Sequence, residues 1–115
     1  MDNLIRVILI IAFCTLFLPV NIQQTQAESR DAEAYNNRGN THADKGQYDQ
    51  AISDYTKALE INPQDAIAYC NRGIVYYFRK EYGKSWENVK KAGSLGYQID
   101  PKFLDELRKA SGRQD

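Results

Sequence analysis

His42, the cysteines Cys14 and Cys70, and the neighbouring carboxylates Asp44 and Asp49 are the residues of this chain whose types could do chemistry. An imidazole can move a proton near neutral pH, a thiolate can attack or bind metal, and paired carboxylates can divide acid and base roles. Each needs company that the sequence withholds. His42 is the single histidine, so it has no second imidazole with which to share a metal. Asp44 and Asp49 flank a turn, Lys45-Gly46-Gln47, and read as solvated surface. The glycines come singly and form no phosphate-cradling loop. The expectation is a protein with no enzymatic activity, no cofactor and no metal. Amide side chains offer something different. The amides of Asn37, Asn40 and Asn71 both donate and accept hydrogen bonds, which is binding chemistry and not catalysis.

Composition narrows the partner. The 115 residues include 15 basic and 15 acidic side chains, so the formal net charge is zero. A nucleic-acid or anionic-membrane surface calls for an excess of Lys and Arg, and none exists. Aromatic residues make up 11% of the chain and only three residues are Pro, which suits a folded globule of one domain.

The N-terminus has the three-part form of a secretory signal. A short polar segment carries Arg6, an apolar run follows from Val7 to Val20, and a polar stretch leads to Thr25-Gln26-Ala27. The small-x-small ending marks Ala27 as the cleavage position, with residues 1–27 removed and 28–31 left as a linker. The alternative is a retained anchor, but the run is shorter than the ~20 residues a spanning helix needs. A lipoprotein reading would acylate Cys14, against which stand the bulky Phe13 before it and the apolar sequence beyond it. Cleavage leaves Cys70 as the single thiol of an exported, periplasmic or secreted domain whose membrane contact is limited to the signal. Packing must then hold the domain together, with Cys70 expected as a small buried residue.

The phrase Ala34-Tyr35-Asn36-Asn37-Arg38-Gly39 returns as Ala68-Tyr69-Cys70-Asn71-Arg72-Gly73. Sliding 31–64 onto 65–98 gives 11 identities in 34 positions without a gap, where unrelated sequences of ordinary composition share about two. The chain repeats with a 34-residue period, the mark of a stacked unit.

Punctuation defines each unit. Asp31 is placed to cap a helix starting at Ala32 and running to about Lys45, where Gly46 stops it. Tyr48, Ala51, Ile52, Tyr55, Ala58 and Leu59 form one helical stripe, and Asn62-Pro63 ends that second helix. Asp65 caps the next helix and the pattern starts again. The result is an all-α chain of helical hairpins, one at 32–65 and one at 66–99. Asp100 and Pro101 then open a closing helix over 100–110, with Phe103, Leu104 and Leu107 on its apolar side and a frayed tail at 111–115.

These residues resemble the tetratricopeptide repeat, over about 31–98. Tyr35, Gly39, Ala51, Tyr55, Ala58 and Pro63 match its motif in the first unit, and Tyr69, Gly73, Tyr76, Ser85 and Ala92 match it in the second. The resemblance implies an α-solenoid in which Gly39, Gly73, Ala51 and Ser85 are small so that the paired helices approach closely. The departures are His42 and Val89 in place of aromatics, Tyr97 in place of a proline, and Arg38 and Arg72 at a normally apolar position. A partly buried Arg needs a carboxylate, and the expectation is that Arg72 crosses the repeat boundary to Asp54.

In such proteins the first helix of each hairpin lines a concave groove for a protein or peptide. The resemblance therefore implies Asn36, Asn37, Asn40 and Asn71 as polar contacts, beside the apolar Ile74, Tyr77 and Phe78. For the apolar three a second role is open, packing beneath the closing helix. One subtype grips a terminal carboxylate with two Asn and three basic residues. Asn40 and Asn71 match its amides, but Asn36 stands where its first lysine belongs, and Glu33 and Asp44 hint instead at a neutral or mildly basic partner. The competing function is structural, a homo-oligomer built through an uncovered repeat face.

Overall fold

The computed structural model describes residues 2–113, with side chains at 3–6 and from 23 onward. The side chains of the apolar run Val7–Val20, Cys14 among them, and the last residues Gln114 and Asp115 lie outside the described residues. Five helices form among those described: α1 (Asp2–Asp44), α2 (Tyr48–Ile61), α3 (Ala66–Phe78), α4 (Tyr82–Ser94) and α5 (Pro101–Ser111). Each packs on the next, most extensively α1 on α2 and α3 on α4, so two hairpins stack and α5 closes the far end against α4.

Local signals account for most helix ends. Asp65 Oδ1 accepts from the Ala68 N–H at 3.1 Å, and Asp100 Oδ1 accepts from Lys102 at 2.9 Å with Pro101 in the first turn. Gly46 leaves α1 with φ +72°, and Lys80, at the equivalent place in the second unit, takes the same left-handed turn at φ +62° without a glycine's freedom.

Two expectations fail at the edges. Asp31 caps nothing, because α1 runs unbroken through it. The stretch from Gln23 to Arg30 is free of Gly and Pro and contains good helix formers, so nothing starts a new helix at Ala32 and 28–31 is no linker. At the other end Ser111 is helical and its Oγ accepts from the Trp86 indole N–H at 3.0 Å, so fraying does not begin there.

The close approach of helices falls at the predicted glycines. A Cβ on Gly39 would lie 2.7 Å from the Tyr55 ring, and one on Gly73 would lie 3.1 Å from Val89 and 3.2 Å from Asn88. Around them two apolar clusters form. One joins Ala51, Tyr55 and Val75 across the hairpins, and the other joins Trp86, Val89 and Leu107 beneath α5.

The arginines are arranged differently from expectation. Asp54 is taken by Arg38 of its own hairpin, in a bidentate pair at 2.7 and 2.6 Å. Arg72 makes the equivalent contact with Asn88 Oδ1 at 2.8 Å and crosses the boundary only to Thr56 Oγ1, at 3.0 Å. The reason is repeat geometry. Arg38 and Asp54 face each other across the α1–α2 crossing, and so do Arg72 and Asn88 across α3–α4. The guanidinium fork holds the buried Asp54 carboxyl below the ordinary carboxylate range, with burial opposing. A depressed folded-state value contributes stability above the unfolded value of about 4 and loses it as pH falls through the folded one. Asp54→Asn should therefore melt lower than wild type at pH 7, and the gap should close as pH falls below the ordinary carboxylate range of about 4. Parallel pH-dependent melting curves check this.

Candidate binding groove

The first helices of the two hairpins, α1 and α3, lie side by side and form one wall of the stack. Two hollows open along it. The larger, about 320 Å³, takes Asn40 and Asp44 from α1, Tyr48 and Tyr55 from α2, and Ile74 and Phe78 from α3. The second, about 260 Å³, takes Glu33, Asn36 and Asn37 from α1 with Asp65 and Ile67 at the start of α3. Asn40 and Asn71 line both and form the ridge where the hollows meet.

That ridge is held from below. Asn40 Oδ1 accepts from the Tyr55 hydroxyl at 2.6 Å and from Asn71 Nδ2 at 3.1 Å. Tyr55 is buried, and burial, helped by the negative charges of Asp44 and Asp54, pushes its hydroxyl up to about 12. The phenol stays a neutral donor across the physiological range. Both lone pairs of Asn40 Oδ1 are engaged, which turns its Nδ2 donor and the Asn71 Oδ1 acceptor to the groove. A donor and an acceptor side by side suit an extended backbone.

The other residues expected at the groove divide. Asn37 is exposed and lines the smaller hollow. Asn36 is mainly a strut, since its Nδ2 donates to Asp65 Oδ2 at 2.5 Å and ties α1 to the start of α3, leaving a buried Oδ1 without a protein partner. Ile74 and Phe78 line the larger hollow, where the Phe78 ring stacks on Tyr48 at 5.9 Å and stays 56% exposed. Tyr77 takes the other open role. Its ring meets Phe103 edge-on at 5.4 Å and Tyr82 at 5.8 Å, inside the cluster beneath α5.

Tyr48 and Tyr55 also belong to this wall, beyond the residues expected from the sequence. Both stand on α2, and the identity of Tyr48 with Tyr82 across the repeat was the available signal. The other chemically capable groups are occupied. Cys70 is a buried free thiol, and burial pushes it up, away from the reactive thiolate. His42 Nδ1 sits 2.6 Å from Gln47 Oε1 and Nε2 lies 3.8 Å from Asp54. Among the described residues no group of three or more His, Cys, Asp or Glu side chains is placed to hold a metal ion.

Residues 32–65 match the tetratricopeptide repeat, and a second match to a tetratricopeptide repeat covers 54–87. This chain belongs to the tetratricopeptide-repeat family. It is 32% identical over 82 residues to Hsp70-Hsp90 organizing protein 3 of Arabidopsis thaliana, covering 69% of this chain and 14% of that protein. It is 33% identical over 87 residues to small glutamine-rich tetratricopeptide repeat-containing protein 2 of Saccharomyces cerevisiae, covering 76% and 23%. With a protein SGT1 homolog of Oryza sativa subsp. japonica the identity is 30% over 94 residues, covering 79% and 24%. The repeat chain thus spans at most about a quarter of the length of these relatives.

Proposed function

We propose that this tetratricopeptide-repeat protein is a non-catalytic interaction module that holds an extended segment of another protein along the α1–α3 wall. The observation that carries the reading is the Tyr55–Asn40–Asn71 chain of hydrogen bonds, which fixes a free donor and a free acceptor between two hollows. Export is part of the proposal, supported by the apolar run Val7–Val20 and the Thr25-Gln26-Ala27 ending. One relative's name couples it to Hsp70 and Hsp90. No Lys or Arg lines either hollow, so a terminal carboxylate is not the ligand proposed for this chain.

The test starts from peptides selected on the immobilised full chain from a random decapeptide display library. Asn37→Ala combined with Asn71→Ala should weaken the selected peptides about tenfold, as loss of one or two hydrogen bonds implies, with helicity by circular dichroism unchanged. Equal binding by the double variant would refute the groove assignment. Self-association is the competing reading, favoured by Ile67 and Phe78, each 56% exposed. Sedimentation of the full chain at tens of micromolar decides it, and a monomer counts against an oligomer.

A further inference from the structure

Charge along the wall is one-sided. The charged side chains lining the two hollows are Asp44 in the larger and Glu33 and Asp65 in the smaller, all acidic. In a chain with equal numbers of basic and acidic residues, that separation is a property of the fold. The two arginines flanking the Asn40–Asn71 ridge in sequence are committed elsewhere, Arg38 to Asp54 on α2 and Arg72 to Asn88 on α4. Asp65 is engaged by Asn36 and by the Ala68 N–H, which leaves the exposed Glu33 and Asp44 as the open carboxylates.

Their spacing sets a length. Glu33 and Asp44 are 11 residues apart on α1, about 16 Å along its axis. An extended chain rises about 3.3 Å per residue, so about five residues bridge that distance. Between the two lie the Asn40–Asn71 ridge, suited to backbone, and the apolar Ile74 and Phe78 beside Asp44. The stacked rings of Tyr48 and Phe78 line the same hollow as Asp44 and supply aromatic surface there, which suits a cation. The buried Oδ1 of Asn36 adds an acceptor without a donor at the Glu33 end.

We infer that the groove is selective for a basic extended segment, with Lys or Arg side chains about five residues apart and an apolar residue between them, one cation at Asp44 and the other at Glu33. This deepens the groove reading above and rests on it. Attraction between the acidic wall and such a segment also makes binding depend on salt.

The random decapeptide library on the full chain is the probe. The expected result is enrichment of sequences with two basic residues at that spacing. Their affinity should fall about threefold to fivefold with Asp44→Asn and again with Glu33→Gln, the size of exposed charge pairs, and each variant should flatten the salt dependence. Enrichment of neutral or acidic peptides that Asn37→Ala with Asn71→Ala still weakens would overturn the charge selectivity and leave the groove standing. Basic peptides that bind both carboxylate variants unchanged would overturn it in the same way. No enrichment at all would overturn the selectivity and the groove together.

Discussion

Leu107→Ala is expected to destabilise the fold by about 3 kcal/mol and to lower its melting temperature by on the order of 12 °C or more. Leu107 is the one buried residue of α5, with none of its surface exposed, and it plugs the cluster formed with Trp86 and Val89. Two hairpins make a short stack, and the end of a solenoid exposes apolar surface unless something covers it. Removing the plug leaves a cavity and frees α5, with Tyr77 and Phe103 losing their edge-on contact. Trp86 is the single tryptophan, so its emission reports this end of the molecule alone. It should shift to longer wavelength as the ring, now 5% exposed, meets water and its bond to Ser111 opens. A loss of stability below about 1 kcal/mol, the scale of an ordinary surface change, with unchanged emission would show that α5 is dispensable.

Gly39→Ala should cost about 2 kcal/mol, although alanine is the better helix former by about 1 kcal/mol. The added Cβ would sit 2.7 Å from Tyr55 Cε1 and 2.9 Å from Cδ1. Tyr55 cannot yield, because the ring is buried with Ala51 and Val75 and its hydroxyl is bonded to Asn40. The helices must separate instead, and the Asn40–Asn71 ridge moves with them. Stability and peptide binding should therefore fall together in this variant. Gly83→Ala is the control, since nothing lies within 4 Å of its Cβ position and no loss of stability is expected there. Chemical denaturation of the three proteins, with two-state fits, checks the order. Gly39→Ala matching Gly83→Ala would refute the tight crossing.

Much of the fold was readable because its causes are local. The caps at Asp65 and Asp100, the stop at Asn62-Pro63 and the turn at Gly46 depend on a few adjacent residues. Lys80 shows the limit, since its left-handed turn is inherited from the repeat and not signalled by its own side chain. The candidate site was legible in part. Asn40 and Asn71 followed from the resemblance to the repeat family, while Tyr48 and Tyr55 enter the wall from α2, which no pattern within α1 or α3 reveals.

By itself the sequence determined the 34-residue period and the hairpins, since these follow from repeat spacing, helical periodicity and end signals, and the resemblance to the repeat family added the places where helices come close. Tertiary structure alone decided the rest. Arg38 and Arg72 are long enough to reach several acceptors, and the crossing of helices within each hairpin chose Asp54 for the first and Asn88 for the second. Tyr77 and Phe78 are adjacent and both aromatic, yet successive helical residues point about 100° apart. Once α5 docked on Leu107, one ring faced the core beneath it and the other faced the groove.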